Sequence, residues 1–307
     1  MSVISVSELR KYYGDVKAVD GVSFEVEAGE VFGILGPNGA GKTTTLEMME
    51  GLRKPDSGSI VIDGVPVWPN PGLTKKFIGV QLQSTALFDY LSVAEMLRLF
   101  GSFYNVKLSD AQVDSFLEMV SLSEKITSRV KELSGGQQQR LSIALALVNE
   151  PKVIFLDEPT TGLDPQARRR LWEVIAGISS SGRTIVLTTH YMEEAETLCR
   201  RVAVMDEGRV VILDTPARLI QSLGAKAKIT FTTNPEYAAA DLAARMNLPE
   251  LTQVEGSNVL YAKDAQTSVL AVLSAAGEQA ITIENLTVSG ANLEDVFLHH
   301  TGKGLRD

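Results

Sequence analysis

Three short apolar runs predict the strands of a buried parallel sheet. They are residues 31–35, residues 153–156 and the run "TIVLTT" that ends just before His190. Short apolar runs without polar alternation are typical of strands that helices cover on both faces. A glycine-rich turn and a helix from about Lys42 follow the first run, and two acids end the second. This order predicts an α/β fold.

A compact helical stretch is expected over residues 88–132. Ser92 with Glu95, and Ser109 with Gln112, have the spacing of capping boxes, which begin helices. Further toward the N-terminus, "SGSIVIDGVPV" predicts two short strands about a glycine turn. We therefore expect residues 1–222 to form one domain, a mixed sheet with a helical subdomain at about 88–132.

The pattern changes near residue 224 and predicts a second, small α+β domain over residues 226–307. Its elements are expected in the order β-α-β-β-α-β-α, with Asn234-Pro235 capping the first helix. This order favours a ferredoxin-like sandwich. The last helix, in "ANLEDVFLHH", should begin at Asn292 and carry Leu293, Val296 and Phe297 on one face.

Composition narrows the class of protein. The chain is 44% hydrophobic and 22% charged, with a formal net charge of −9. One cysteine, Cys199, allows no internal disulfide framework. The one dense basic run, residues 168–170, is interpreted as a solvated helix face, so nucleic acid is not an expected partner. No apolar run approaches the roughly 18–20 residues of a membrane helix, and no signal peptide is seen.

The glycine-rich turn has the sequence of a phosphate-binding loop. "GPNGAGKT" fits G-x-x-x-x-G-K-[ST] between a strand and a helix. Its glycines let the backbone wrap phosphate oxygens, Lys42 reaches the β- and γ-phosphates, and the Thr43 hydroxyl holds Mg²⁺. The candidate nucleotide-binding residues are Gly36, Pro37, Asn38, Gly39, Ala40, Gly41, Lys42, Thr43 and Thr44, and the motif alone indicates only an NTPase.

Polar residues at the other strand ends extend this site. Asp157 is placed to bind Mg²⁺, and Glu158 to polarise an attacking water, although both acids could instead cap the next element. His190 ends the third apolar run, where open α/β sheets bind ligands, and could contact the γ-phosphate or be structural. From the sequence pattern alone, Gln83 is interpreted as an ordinary loop amide.

A second candidate anion site lies almost a hundred residues after the first. "LSGGQ" supplies Leu133, Ser134, Gly135, Gly136 and Gln137 at the start of a helix, where backbone N–H groups are unpaired and the helix dipole favours negative charge. The chain therefore has one phosphate-binding motif but two candidate anion sites, and the second site needs an explanation.

Taken in order, these residues resemble the ATP-binding cassette (ABC) family over nearly all of residues 3–222. The series is Tyr13, "GPNGAGKTT", Gln83, "LSGGQ", "VIFLDE", "GLD" and His190. The resemblance implies the P-loop NTPase fold of ABC ATPases, with ATP and Mg²⁺. It implies adenine stacking by Tyr13, sensing of Mg²⁺ and γ-phosphate by Gln83, catalytic base action by Glu158, and a switch role for His190. It also implies that residues 133–137 form the signature motif, which binds ATP held by a second copy, and that Asp164 contacts that copy.

The resemblance implies two functions. In the first, the chain powers an exporter with a separate permease at the cytoplasmic face of the membrane. Phe88 and Tyr90 are candidate residues for contact with the permease, although both could instead belong to the local core. Similarity to daunorubicin-resistance ATPases in "EGLRKPDSG" and "TTHYMEEAETLC" favours drug export, but lipids, polysaccharides and ions stay open. The alternative is a non-transport ABC ATPase that acts on nucleic acid or ribosomes. The acidic charge and the short insert favour transport.

Overall fold

The computed structural model describes residues 2–82, 87–254 and 256–301, and the chain divides into two compact units at Thr215–Pro216. Among these residues, no helix is both long and apolar enough to cross a membrane.

The first unit contains ten strands and six α-helices among its described residues. The strands are β1 (Ser2–Tyr13), β2 (Val16–Glu27), β3 (Val31–Leu35), β4 (Ser57–Ile62), β5 (Val65–Pro66), β6 (Ile78–Gln81), β7 (Val153–Asp157), β8 (Thr184–Thr189), β9 (Arg201–Asp206) and β10 (Arg209–Asp214). The α-helices are α1 (Lys42–Met49), α2 (Val93–Phe103), α3 (Asp110–Met119), α4 (Gly135–Ala146), α5 (Pro165–Ser180) and α6 (Met192–Leu198). Short 3-10 helices span Pro71–Lys76, Ser123–Lys125 and Val130–Glu132.

The three apolar runs form neighbouring strands of one sheet, as expected. The sheet has the order β10-β9-β3-β8-β7-β6, in which β9, β3, β8, β7 and β6 are parallel and β10 is antiparallel to β9. Every residue of β3, β7 and β8 is buried. A second, antiparallel sheet has the order β2-β1-β4-β5. Because parallel strands end at the same edge, the segments after β3, β7 and β8 are brought together.

Both predicted capping boxes are present in the helical stretch. Ser92 accepts from the backbone N–H of Glu95, whose side chain accepts from the N–H of Ser92, and Ser109 and Gln112 repeat the arrangement. Each box satisfies two N–H groups that a helix start would otherwise leave unpaired. Beside α2, Phe88 is 54% and Tyr90 75% exposed, so neither belongs to the local core.

The second unit has the predicted ferredoxin-like topology. It consists of α7 (Pro216–Ser222), β11 (Ala227–Asn234), α8 (Ala239–Met246), β12 (Thr252–Val254), β13 (Ser257–Ala262), α9 (Ala265–Glu278), β14 (Thr282–Ser289) and α10 (Leu293–Thr301). The four strands pair antiparallel in the order β12-β13-β11-β14. Residues of β11, α8 and α9 form its core, with Ile229, Phe231 and Val272 fully enclosed. Helix α7 packs against α10 and therefore belongs to this unit.

Two details of this sheet depart from a regular pattern. The expected cap at Asn234-Pro235 is wrong, because Asn234 ends β11 and α8 begins only at Ala239, with Ala238 at its N-cap. Proline disfavours helical backbone at the residue before it, which keeps Asn234 extended. The edge strand β14 is mostly exposed, and its pairing with β11 is interrupted by a bulge close to Asn285, which has a φ of 52°.

Asp295 joins the last helix to the sheet. Its backbone N–H donates to Asn292, which caps the helix as predicted, and its carboxylate accepts from the N–H of Asn292. The same carboxylate is fully buried, 2.7 Å from the Lys228 ammonium, and accepts from the Tyr261 hydroxyl at 2.8 Å. Sheet and helix are thus held by a buried ion pair that the sequence pattern did not indicate.

Replacing Asp295 with alanine should destabilise the second unit by about 3 kcal/mol, because it leaves the Lys228 ammonium without its buried partner. Hydrogen exchange of the β11 and β13 amides would measure the loss locally. The exposed neighbour Glu294 provides the control, and Glu294→Ala should leave the same amides unaffected. Equal protection in both variants would contradict the assignment.

Candidate active site

Three loops meet at the carboxyl edge of the parallel sheet. The phosphate-binding loop, residues 36–43, follows β3, Glu158 follows β7, and His190 follows β8. In the sheet, β8 lies between β3 and β7, with Leu35 beside Thr189 and Asp157 beside Thr188. Residues from distant parts of the chain therefore share one small region.

The phosphate-binding loop is tight, and Gly41 keeps it so. Gly41 precedes α1 with a φ of 96°, and a Cβ there would lie 2.2 Å from the carbonyl oxygen of Ala18. Only glycine meets both conditions. The loop leads directly into the N-terminus of α1, where unpaired N–H groups and the helix dipole favour an anion. Within the loop, Asn38 and Gly39 are exposed, Ala40 is buried, and Pro37 is half-buried, as is Thr44 in α1.

Lys42 is the first residue of α1 and is buried, with 4% of its side chain exposed. Its ammonium donates to the carbonyls of Gly36 at 2.8 Å and Pro37 at 3.1 Å, and lies 3.4 Å from Glu158 Oε1. Burial lowers the pKa of Lys42, while the negative charge of Glu158 acts in the opposite direction. The carbonyl groups of the phosphate-binding loop thus hold the Lys42 ammonium in position.

Glu158 joins the phosphate-binding loop to His190. Its Oε2 lies 3.4 Å from His190 Nδ1 and accepts from the Thr161 hydroxyl at 3.1 Å. Burial raises the pKa of Glu158, but Lys42 and His190 outweigh burial, and the pKa is lowered overall. Glu158 has a φ of 46°, in the left-handed region that a residue with a Cβ rarely adopts. Such strain is concentrated at functional sites.

Asp157 and Thr43 supply oxygen atoms next to this group. Asp157 Oδ1 accepts from the hydroxyls of Thr188 at 2.5 Å and Thr43 at 3.2 Å. Burial raises the pKa of Asp157, and these two hydrogen bonds act against burial. A carboxylate and a hydroxyl beside a phosphate-binding loop are the kind of ligands that Mg²⁺ takes together with water and phosphate.

Tyr13 ends β1 with 43% of its surface exposed. The Lys11 ammonium lies 5.7 Å and the Arg53 guanidinium 5.5 Å from the centre of its ring. Arg53 also donates to Glu47 of α1 at 2.5 Å, which links the Tyr13 ring to the helix that follows the phosphate-binding loop. An exposed aromatic ring held in this way is suited to stacking on a nucleobase.

The second candidate anion site lies at the start of α4, which packs against the start of α5. Ser134 caps α4 and forms a capping box with Gln137, while Leu133 is buried. A Cβ on Gly136 would lie only 3.0 Å from Ala167 Cβ, so glycine allows α4 to approach α5. Asp164 caps α5 and accepts from the N–H groups of Gln166 and Ala167. Ser134, Gly135 and Asp164 are exposed.

Gln83, expected to sense Mg²⁺ and the γ-phosphate, lies outside the described residues. The structure therefore places the other predicted residues in two groups. Tyr13, the phosphate-binding loop, Asp157, Glu158 and His190 adjoin the sheet edge, and residues 133–137 adjoin Asp164.

Known proteins share this sequence and this fold. The ABC transporter family model matches residues 19–161. The Nod factor export ATP-binding protein I of Paraburkholderia xenovorans is 42% identical over 310 residues, which cover 100% of this chain and 99% of that protein. The chain belongs to the ABC transporter ATPase family. Like other ATP-binding subunits of ABC transporters, it binds ATP and is an ATPase.

Solved structures agree with membership of the ABC family. An ATP-binding cassette of an ABC transporter in its ADP conformation has a TM-score of 0.65 and 26% identity, covering 71% of this chain and 92% of its own. A dimeric cassette in a post-hydrolysis state, bound to ADP and Pi, has a TM-score of 0.62 and 28% identity, covering 69% of this chain and 98% of its own. The predicted P-loop NTPase fold of ABC ATPases is confirmed.

Some residues of this ABC site were not found by sequence reasoning. Thr188 donates to Asp157 and accepts from the N–H of Glu158 at 2.9 Å, so one hydroxyl fixes both acids. A polar residue inside an apolar strand was the signal in the sequence that could have indicated Thr188.

Glu50 was also missed by sequence reasoning. It caps the C-terminus of α1, is 1% exposed, and its Oε1 has no hydrogen-bond partner among the described residues.

Glu50 should make the ATPase less stable as the pH rises. Burial raises its pKa to about 8, helped by the charges of Asp157 and Glu47. Between the ordinary pKa of a glutamate and pH 8, the unfolded chain loses this proton while the folded chain keeps it. Stability therefore falls as the pH rises, by about 1 kcal/mol per unit.

Glu50→Gln removes this proton and should flatten the pH dependence, so that the variant gains stability over the wild type between pH 5 and pH 8. Urea denaturation at three pH values measures the effect. Glu118→Gln, at an exposed position of α3, is the control and should leave the slope unchanged. Parallel curves for Glu50→Gln and the wild type would show that Glu50 does not cause the dependence.

Proposed function

We propose that the chain is the ATP-hydrolysing subunit of an ABC exporter, which works as a dimer and drives a separate membrane permease. The observation that carries the proposal is the convergence of Lys42, Glu158 and His190 at one sheet edge, with contacts of 3.4 Å on either side of Glu158. A cation, a general base and a second polar group are the parts that phosphoryl transfer to water requires.

Each group at the sheet edge has a proposed role. Lys42 and the phosphate-binding loop hold the β- and γ-phosphates, while Tyr13 stacks on adenine. Thr43, Asp157 and Gln83 hold Mg²⁺, which when bound would neutralise charge on the phosphate oxygens. His190, beside Glu158, contacts the γ-phosphate.

Glu158 is proposed to be the general base. A base must be ionised to accept a proton, and the lowered pKa of Glu158 favours its ionised form at neutral pH. Its hydrogen bond from Thr161 and its contact with His190 orient the carboxylate. The strained backbone at this position is held in place by the N–H bond to Thr188.

A dimer would account for the second candidate anion site. Residues 133–137 have an exposed helix start, and the chain has one phosphate-binding loop. In a head-to-tail pair, Ser134 and Gly136 of one copy would cover the ATP held by Lys42 of the other, with Asp164 at the contact. Closure would exclude water and strengthen every interaction with charge, from about 1 kcal/mol per pair at 4 Å in water to about 4 at an effective dielectric constant of 20.

Export and the permease are supported by the relatives. The proteins 40–42% identical over nearly the whole chain are named Nod factor export ATP-binding proteins. A subunit of this kind would be peripheral, held at the cytoplasmic face of the membrane by its permease, with Phe88 and Tyr90 as candidate contacts. Drug export remains a prediction. The alternative, a non-transport ATPase acting on nucleic acid or ribosomes, predicts copurification with nucleic acid instead of a membrane protein.

The two parts of the chain have different proposed tasks. The nucleotide-binding domain, expected over residues 1–222, is proposed to end at residue 215, because α7 belongs to the second unit, and its helical subdomain at 88–132 is presented to the permease. Residues 226–307 form an accessory domain that regulates the dimer. The support is that the candidate active-site residues all lie in the first part.

Glu158→Gln should bind ATP but lower kcat by about a hundredfold or more, because glutamine keeps the shape and cannot accept the proton. A dimer that holds ATP should then accumulate and elute earlier in size-exclusion chromatography with Mg-ATP. Glu173→Gln, on an exposed face of α5, is the control and should behave as the wild type. Turnover at the wild-type rate by Glu158→Gln would remove Glu158 from the mechanism.

Single-cysteine chains test the shared site directly. In a Cys199→Ala background, Ser134→Cys in one tagged chain and Asn38→Cys in another should form a disulfide between chains when Mg-ATP is present. Both positions are exposed in the single chain.

The matched control replaces Ser134→Cys with Ser180→Cys. Ser180 is exposed at the far end of α5, about 24 Å from Asp164 at 1.5 Å per residue. It should not crosslink to Asn38→Cys. Failure of the Ser134 pair, or equal yields for both pairs, would exclude the composite site.

A further inference from the structure

Glu194 is a buried acid whose carboxyl group faces three separate elements around the active site. It lies on α6, immediately after the segment that carries His190, and none of its surface is exposed. Its Oε1 accepts from the indole N–H of Trp172, on α5, at 3.1 Å. The hydroxyls of Thr189 and Thr160 lie beside the same carboxyl group.

These neighbours lie on elements that carry residues of the proposed composite site. Thr160 lies two residues after Glu158, on the segment that leads to Asp164. Thr189 is the last residue of β8, immediately before His190, and its hydroxyl accepts from the N–H of Tyr191 at 2.9 Å. Trp172 is on α5, the helix that Asp164 caps. One carboxyl group thus touches the elements that carry the base, the histidine and the dimer contact.

A second contact joins helix α5 to the segment after β8. The Arg168 guanidinium, on α5, lies 4.0 Å from the centre of the Tyr191 ring, next to His190. The basic run was expected to be a solvated face, but Arg168 is half-buried. Helix α5 and the segment after β8 are therefore bridged twice, once by the Glu194 carboxyl group and once by cation–π stacking.

The arrangement leaves one hydrogen bond to be made. Glu194 Oε2 and Thr160 Oγ1 are both buried, and neither makes a hydrogen bond of standard geometry within the described residues, although the Thr160 hydroxyl lies close enough to lower the pKa of the carboxyl group. Buried polar atoms without partners are costly, by about 1–3 kcal/mol. Since Thr160 lies beside the carboxyl group, a small shift of the segment after Glu158 toward α6 would satisfy both atoms at once.

We propose that Glu194 is a positioning residue for ATP hydrolysis, which holds the segment from Glu158 to Asp164 and the strand end before His190 as one block. The inference rests on the proposed function, because it concerns the same base, histidine and dimer contact. Burial raises the pKa of Glu194 although the neighbouring hydroxyls and Trp172 act against it. A protonated carboxyl group can donate to a threonine hydroxyl while it accepts from Trp172, and glutamine can do the same.

Three variants distinguish a positioning role of Glu194 from a role in folding alone. Glu194→Ala should lower kcat about tenfold or more, since small misplacements of catalytic groups have effects of up to about a hundredfold. The KM for ATP should change less than about twofold, because Tyr13 and Lys42 lie on other elements. Glu194→Gln should keep kcat within about threefold of the wild type. Glu193→Ala, at an exposed position of the same helix, is the matched control and should leave both constants unchanged.

Trp172 emission provides a spectroscopic readout that would not change if the role of Glu194 were purely structural. The chain has two tryptophans, Trp68 and Trp172, so Trp68→Phe leaves Trp172 as the reporter. Addition of Mg-ATP should shift Trp172 emission in this background and in its Glu194→Gln derivative, and should not shift it in Glu194→Ala. If Glu194→Ala unfolds, Thr160→Val takes its place. It removes only the facing hydroxyl, and should lower kcat severalfold and weaken the emission shift.

Two results would overturn the inference while the proposed function stands. One is a kcat for Glu194→Ala, or for Thr160→Val where the first is unfolded, equal to that of Glu193→Ala with the emission shift intact. The other is a kcat for folded Glu194→Gln as low as that of Glu194→Ala. Absence of ATP hydrolysis or of ATP-dependent dimerisation in the wild type would instead contradict the proposed function itself.

Discussion

The buried ammonium group of Lys42 imposes the constraint on which the active site depends. A positive charge with 4% of its side chain exposed must be compensated within the protein, because an unpaired buried charge costs several kcal/mol. Two carbonyls of its own loop and Glu158 supply the compensation. Since Lys42 follows β3 and Glu158 follows β7, the pair can form only if both strands run parallel and end at the same level.

Strand β8 lies between these two and does more than separate them. Its last two residues, Thr188 and Thr189, are polar, and each forms contacts with a neighbouring element. Thr188 fixes Asp157 and the backbone of Glu158, while Thr189 faces Glu194 and accepts from the N–H of Tyr191. The strained conformation of Glu158 can persist because the strand beside it holds its backbone N–H.

Sequence reasoning located the parts of this site that are local in the chain. The phosphate-binding loop has a short motif between a strand and a helix, and Glu158 and His190 follow apolar runs whose ends must share an edge. Thr188, Glu194, Arg53 and Glu50 were not located, because their importance depends on partners that only strand register and helix packing bring near. Gln83 lies beyond what the structure describes. In the second unit, the element order was enough to predict the topology, but not the pairing of Lys228 with Asp295, which are far apart in the chain.

The irregular edge strand β14 has a consequence for how the second unit behaves among other proteins. A long, straight edge strand is a template on which another chain can add a strand, which leads to aggregation. Strand β14 is exposed along most of its length, so it runs this risk. The bulge beside Asn285 interrupts its regular backbone, and the exposed Glu284 adds a charge to the strand. The same irregularity that interrupts pairing with β11 thus makes the outer edge a poor site for the growth of fibrils.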